Sequence, residues 1–414
     1  MAFPSARSHA FWPMVAVIAL CCCAGPAPLS RSRPSATTAP APVRQIVPAP
    51  EPTGPAPQVE TEAAPATAPP SATPVAPESP GAAAVESVPA GAVVAQSRTI
   101  ALVLPLASPL YGRAAEAVKA GFLAAASRSG DANRVQVIGH GDDGVLPAFA
   151  TAAESGAALV VGPLTRDDLK TVLTLAPVRP RMLALNQPDD GLALPPEAYA
   201  LGLSVESDAM LLVRQAIADG VRMVASVTGD SPFQQRFRSA FASAWQRSGG
   251  ARMRDYRFDP NPDVLAVLRR ELGARPPDAT LLCVSPGDAA LAKSFLPPGP
   301  VYASSQVADG VPPEMLRDLE GVRYVEIPWL AEPDDPALAR LPRAPMGDPV
   351  LDRLYALGLD AFVIAELLAS PTPPARIELD GATGHLTLTA SRVFAREGRL
   401  MVIRGGVPTP YSRP

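Results

Sequence analysis

The sequence predicts an α/β fold of two lobes with parallel sheets and a cleft between them. Three observations lead there. Short continuous apolar runs alternate with longer stretches of helical period, the order expected of parallel strands joined by crossover helices. The alternation comes as two successive series of about 100 residues each. Composition confines it to the part of the 414-residue chain after about Arg98.

Residues 99–106 (TIALVLPL) read as the first buried strand, and a turn at 107–112 follows. A helix then runs to about Ser127, with Ala114, Val118, Phe122 and Ala125 on one face. Strands at 135–138, 157–162 and 181–186 alternate with helices at 146–154 and from Thr165. Thr165 is placed to cap that helix, with Asp167 and Asp168 in its first turn. The second series opens with a helix at 208–218, capped by Ser204 or Ser207. Strands follow at 222–227, 251–258, 280–284 and 301–304, with helices at 233–248, 263–272 and 288–295. After about Val350 a helical period returns through Leu351, Leu354, Tyr355, Gly358, Phe362 and Leu368. Three short strands, 375–379, 385–389 and 400–404, close the fold, with a turn at 381–384. The first lobe is expected over about 98–203 plus part of 340–414, and the second over about 204–339.

The segment before Arg98 is of a different kind. An apolar run at 10–23 follows Arg7 and His9 and is too short to span a bilayer. It has the proportions of an export signal. Leu20 stands three residues before Cys23, the pattern of a lipoprotein signal with Cys23 as the lipidated residue. Cys22 is the second choice, with Ala19 in the corresponding place, and Cys21 precedes it. An ordinary cleaved signal is the alternative, and both place the mature chain outside the cytoplasm. Ala24 after Cys23 is compatible with sorting to the outer membrane, the folded domain lying in the periplasm. Residues 24–97 hold about a third of the 51 prolines and no aromatic residue. Such a stretch cannot bury enough apolar surface to offset its ordering entropy. It reads as a disordered tether that would reach roughly 230 Å if fully extended as polyproline II.

Charge and motifs exclude several functions. A net charge of −4 and the absence of a basic stripe set nucleic-acid binding aside. No nucleophile elbow, zinc-protease helix motif or phosphate loop occurs, so no catalytic residue and no cofactor is expected. His140 lies beside Asp142 and Asp143 but lacks enough local ligands for a metal site, and none is expected. Cys283, in the apolar run 279–284, reads as a small buried residue of a core strand.

Ligands of open α/β sheets bind beyond the carboxyl ends of the strands. That rule selects Ser108, Tyr111 and Gly112; Gly162, Pro163 and Leu164; Asn186 and Gln187; Asp230 and Ser231; and Ser304 and Ser305. They offer hydroxyls, amides and helix N-termini suited to a polar or anionic small molecule, and each is also an ordinary turn or cap residue.

Ten segments, in order, resemble a known family: 100–110 (IALVLPLASPL), 120–124 (AGFLA), 160–164 (VVGPL), 183–186 (LALN), 237–245 (FRSAFASAW) with Gly249 and Gly250, 301–305 (VYASS), 317–322 (RDLEGV), 327–330 (IPWL), 353–361 (RLYALGLDA) and 381–386 (GATGHL). Together they are similar to the penicillin-binding-protein activator lipoproteins. The resemblance covers most of 98–407. It implies a type I periplasmic-binding-protein-like fold of two Rossmann-like lobes on an outer-membrane lipoprotein. It also implies a non-enzymatic regulator that binds and stimulates a bifunctional peptidoglycan synthase, chiefly in cross-linking. Where family members carry a helical-repeat domain, this sequence has the Pro-rich tether. Pro328 and Trp329 would serve a partner surface or pack the interlobe region. The alternative on the same fold is a periplasmic solute receptor for an amino acid or similar small polar ligand of a transporter.

Overall fold

The computed structural model describes residues 99–141, 143–176, 180–188 and 192–412. The expected signal (1–23), with Cys21, Cys22 and Cys23, and the expected tether (24–97) lie outside the described residues. The first lobe opens with β1 (Ile100–Leu104), α1 (Gly112–Ser129), β2 (Val135–Gly139), α2 (Val145–Glu154), β3 (Leu159–Val161), α3 (Arg166–Leu175), β4 (Met182–Ala184) and β5 (Ala198–Ala200). Its strands form a parallel sheet in the order β2-β1-β3-β4-β5. Every residue of β1, β3 and β4 is buried, because helices cover both faces of the sheet.

The second lobe follows with α4 (Val205–Ala218), β6 (Val224–Thr228), α5 (Pro232–Arg247), β7 (Arg254–Arg257), α6 (Pro262–Ala274), β8 (Ala279–Cys283), α7 (Pro286–Ser294), β9 (Val301–Ala303), α8 (Pro313–Leu316) and β10 (Val322–Glu326). The chain then returns to the first lobe through α9 (Pro328–Ala331), α10 (Pro349–Leu368), β11 (Glu378–Asp380), β12 (His385–Leu388) and β13 (Phe394–Glu397). It ends in β14 (Arg399–Arg404) and β15 (Val407–Pro410). The second sheet has the order β15-β14-β10-β9-β8-β6-β7. Its strands from β10 to β7 are parallel, and β14 and β15 run antiparallel to their neighbours. β11, β12 and β13 make an antiparallel meander beside the first sheet, joined to it by a bridge from Ala200 to Val393.

Helix starts are written locally. Ser231-Pro232, Asn261-Pro262, Ser285-Pro286 and Asp348-Pro349 each place a capping side chain before a proline in the first turn. The cap satisfies an otherwise orphaned amide, and proline has none to satisfy. Ser204 caps α4, so the helix starts before the expected position 208.

Four strands were not expected from sequence. β5 is three residues long, and β13 alternates charged residues with apolar ones. β10 carries Arg323 and Glu326 among apolar residues, which masks a central strand. Both charges are paired: Arg323 bonds Asp219 and stacks over the Tyr302 and Tyr411 rings, and Glu326 pairs with Arg353. β15 holds two prolines, which are confined to edge strands. Cys283 is buried at the end of β8, where desolvation pushes its thiol well above the usual range.

The first lobe is held by a close pair of helices, α1 and α10. A Cβ on Gly121 would lie 2.0 Å from the Tyr355 carbonyl oxygen, and one on Gly358 would lie 2.2 Å from that of Val118. The two backbones therefore touch, and only glycine fits at these positions. Phe122 and Phe362 meet edge to face at 5.3 Å beside the contact. Asp360, on the same helix, is 2% exposed. Its Oδ1 accepts from the Ala382 amide at 2.7 Å, and its Oδ2 accepts from the Thr383 amide at 2.8 Å and hydroxyl at 2.5 Å. One buried carboxylate thus fastens the 381–384 turn onto α10.

Two outcomes are expected. Gly358→Ala should cost about 1–3 kcal/mol through overpacking, read as a lower Tm by calorimetry. An unchanged Tm would mean that the helices are free to separate. Burial pushes the Asp360 carboxyl up to about 6 from its ordinary 3.8, against the three hydrogen bonds and Arg396. The folded chain then holds this proton more tightly than the unfolded chain, so its contribution to stability falls as pH rises through that window. Asp360→Asn should flatten this part of the profile in urea unfolding. It should also lower stability by about 1–3 kcal/mol, because an amide cannot accept all three bonds.

Candidate functional site: the crossovers and the interlobe cleft

The chain passes between the lobes three times: from β5 to α4, from β10 to α9 and from β13 to β14. Each passage is braced by charge. Arg353, near the start of α10, donates from Nε to Glu326 Oε1 at 2.9 Å and from Nη2 to Glu326 Oε2 at 2.6 Å. Its Nη1 and Nη2 also reach the two oxygens of Asp309 in the second lobe, at 2.8 and 2.7 Å. Burial works to lower the Arg353 pKa, but the hydrogen bonds it donates to Glu326 and Asp309 outweigh it and the net shift is upward. Removing one partner of such a pair strands a buried charge, at a cost of about 3–5 kcal/mol.

Arg396 of β13 makes the second brace. It bonds Asp208 of α4 and donates from Nη1 to the Thr383 carbonyl at 3.1 Å. Two more exposed pairs span the same region, Arg214–Glu397 at 3.1 Å and Arg399–Glu332 at 2.8 Å. Sequence reasoning assigned no role to Arg353, Glu326, Asp309, Arg396 or Asp208. Arg353 and Asp360 do fall inside the quoted segment 353–361, but their partners are far away along the chain.

The strand-end candidates have different fates. Gly162, Pro163 and Leu164 are buried, so they do not line an open cleft. A Cβ on Gly162, at φ 121°, would lie 2.1 Å from the Val103 carbonyl oxygen, and the Leu185 amide donates to the Pro163 carbonyl. Asn186 stitches this loop: Nδ2 donates to the Leu164 carbonyl at 3.1 Å, and Oδ1 accepts from Arg166 Nε at 3.3 Å. Ser108 Oγ accepts from the Tyr111 amide at 3.2 Å, which shapes the turn into Gly112. The Tyr111 ring is exposed beside Leu110.

In the second lobe, Asp230 forms a two-bond pair with Arg257 at 3.0 and 2.5 Å. Ser231 is spent in a capping box with Gln234. Ser304 is buried, and Ser305 is half-buried beside the crossovers. Two candidates line spaces shared by both lobes. Gln187 lines spaces of 460 and 630 Å³ with Glu206 and Arg247 of the second lobe, and Ser305 lines one of about 160 Å³ with Arg353 and Leu354 of the first.

Pro328 and Trp329 are buried, which removes them from any exposed partner surface. Trp329 packs on Tyr355 at 5.9 Å between rings, Arg343 lies 4.0 Å over its ring, and its amide donates to the Ala382 carbonyl. It pins the second crossover to the first lobe. His140 is also buried, with Nε2 3.9 Å from Asp168. Among the described residues no group of three or more His, Cys, Asp or Glu side chains could hold a metal ion. Among them, too, no helix is long and apolar enough to cross a membrane.

Comparison with known proteins fits this architecture. The chain is 29% identical over 297 residues to the penicillin-binding protein activator LpoA of Edwardsiella piscicida, covering 61% of this chain and 42% of that protein. The chain thus spans less than half the length of that relative. Among solved structures, it superposes on the C-domain of LpoA from Haemophilus influenzae, described as a regulator of PBP1A. The TM-score is 0.64 at 25% identity, over 76% of this chain and 100% of that one. It also superposes on a Chromobacterium violaceum protein described as "a putative branched-chain amino acid ABC transporter". There the TM-score is 0.63 at 35% identity, over 73% and 99% of the two chains. These likenesses give the two lobes a periplasmic-binding-protein-like fold. The family described as "LppC putative lipoprotein" matches residues 82–273 and 274–401. With a match over most of its length, the chain belongs to the LppC lipoprotein family.

Proposed function

We propose that this chain is a lipid-anchored, non-enzymatic regulator that binds and stimulates a bifunctional penicillin-binding protein in peptidoglycan synthesis. The observation that carries the reading is the superposition over the whole of the H. influenzae LpoA C-domain, a protein described as a regulator of PBP1A. The state of the strand-end loops supports it. Asn186, Asp230 and Ser231 bond within their own lobes instead of converging on a solute. The folded domain works from an anchor at Cys23 in the outer membrane, and the Pro-rich segment gives it reach toward a synthase. The likeness to the C. violaceum protein favours a second reading, a receptor for an amino acid.

The deciding measurement is cross-linked peptidoglycan made by the host's purified bifunctional synthases, with and without the chain. A reproducible rise with one synthase is expected. No rise with a folded chain and active synthases would favour the receptor, whose mark is thermal stabilisation by an amino acid. The anchor is tested separately: Cys23→Ser should abolish metabolic palmitate labelling. Label that persists would move the lipid to Cys22.

A further inference from the structure

A groove of about 500 Å³ opens at the amino ends of β4 and β5. The interlobe cleft lies beyond the opposite, carboxyl ends of these strands. The described lining of the groove comes from 181–199 and 373–392, all in the first lobe, so the groove stands apart from that cleft. Pro196, Tyr199, Pro373 and Leu388 give it apolar walls. Sites for small organic molecules span about 300–1,000 Å³, and this groove falls within that range.

Two guanidiniums line it. Arg181 stands just before β4, and the Met182 amide donates to the Glu197 carbonyl, which sets Arg181 beside the start of β5. Its Nη1 donates to the Leu368 and Ser370 carbonyls, each at 2.8 Å, at the carboxyl end of α10. Arg392 donates from Nε to the Pro195 carbonyl at 3.1 Å and from Nη2 to the Leu194 carbonyl at 2.8 Å. Carbonyls orient a guanidinium but bring no formal charge to neutralise it. Neither arginine forms an ion pair among the described residues. Nε and Nη2 of Arg181 and Nη1 of Arg392 make no bond among them either, and these atoms are open to solvent. Glu197 is the one acid in the described lining, so positive charge is in excess. Arg392 also has φ 61°, in the left-handed region that favours glycine, and is the one described non-glycine residue with positive φ. Glycine would make this turn at lower cost and would give up the guanidinium.

We infer that this groove binds a carboxylate carried on an apolar body, with the carboxylate between Arg181 and Arg392 and the body against Tyr199 and Pro373. Arginine keeps its charge, and its planar fork matches a carboxylate. Such charge-assisted bonds are roughly twice as strong as neutral ones. A free organic acid and the carboxyl end of a peptide offer the same chemistry. The inference does not rest on the peptidoglycan-synthase reading and stands or falls apart from it.

The test uses the full chain, labelled at methyl groups and tyrosine rings for NMR. The probes are hydrocinnamate, its neutral amide, and acetylated Ala-Phe with a free carboxyl end. Hydrocinnamate should shift the Tyr199 ring and Leu388 methyl resonances saturably, and the amide should bind about tenfold more weakly or not at all. Arg392→Gly suits the backbone of this turn, so the chain should keep its circular dichroism and lose the shifts. Arg376→Ala, exposed and outside the lining, should leave them intact, which separates the groove from general surface charge. A peptide that binds about tenfold more tightly than hydrocinnamate would make a peptide end the source of the carboxylate. Equal or weaker binding of the peptide would make it a free acid. Equal shifts from acid and amide would overturn the inference. So would the absence of a saturable shift from either carboxylate, or full binding by a folded Arg392→Gly chain. Should Arg392→Gly fail to fold, the comparison of acid with amide on the unaltered chain still decides.

Discussion

The joint between the lobes depends on one buried guanidinium. Arg353 stands at the first turns of α10 in one lobe and holds Asp309 of the other, while gripping Glu326 at the end of the strand that leads from one to the other. Four of its hydrogen bonds go to two carboxylates, so the desolvation of three charges is offset within a single cluster. Neighbouring features are arranged around this cluster. Trp329 packs two residues beyond Ile327, whose amide donates to Glu326 Oε1, and Arg396 pairs with a single carboxylate, Asp208, at the third crossover. A binding-protein-like fold is often pictured as two bodies on a loose hinge. Here the hinge is braced by buried ion pairs, and the strand-end loop residues Asn186, Asp230 and Ser231 are bonded within their own lobes.

Much of the fold was legible in the sequence, because its strongest signals are local. The fully buried strands β1, β3 and β4 are continuous apolar runs, and the helix after β3 begins at a cap, Thr165, that can be read from the sequence. Strands escaped where local pattern and tertiary role disagree. β10 is central, yet it carries two charges that only distant partners make tolerable there. β5 and β13 take their pairing from neighbours more than from their own composition.

The site was less legible, for a related reason. The strand-end rule selects positions by topology, and it does not say whether their polar groups are free. Gly162, Pro163 and Leu164 proved buried, and Ser231 and Asn186 are occupied in holding the backbone. The residues that join the lobes are far apart along the chain: Arg353 is 27 positions from Glu326 and 44 from Asp309, and Arg396 is 188 from Asp208. No spacing in one sequence reveals such pairs. The segment 353–361 stood out by resemblance, and its chemistry became readable only with Gly358 against α1 and Asp360 under the 381–384 turn.

The last strand has a consequence for how the molecule meets others. Tyr411 donates its amide inward to the Leu400 carbonyl, and amides alternate in direction along an extended strand. The outward-facing positions of β15 are therefore Pro408 and Pro410, which have no amide hydrogen to offer. An incoming strand would find two donors missing from a four-residue edge, so the sheet cannot readily be extended from this side by a second copy or by a foreign strand. That edge is therefore a guard against self-association through this sheet, and it leaves recognition to side-chain surfaces elsewhere.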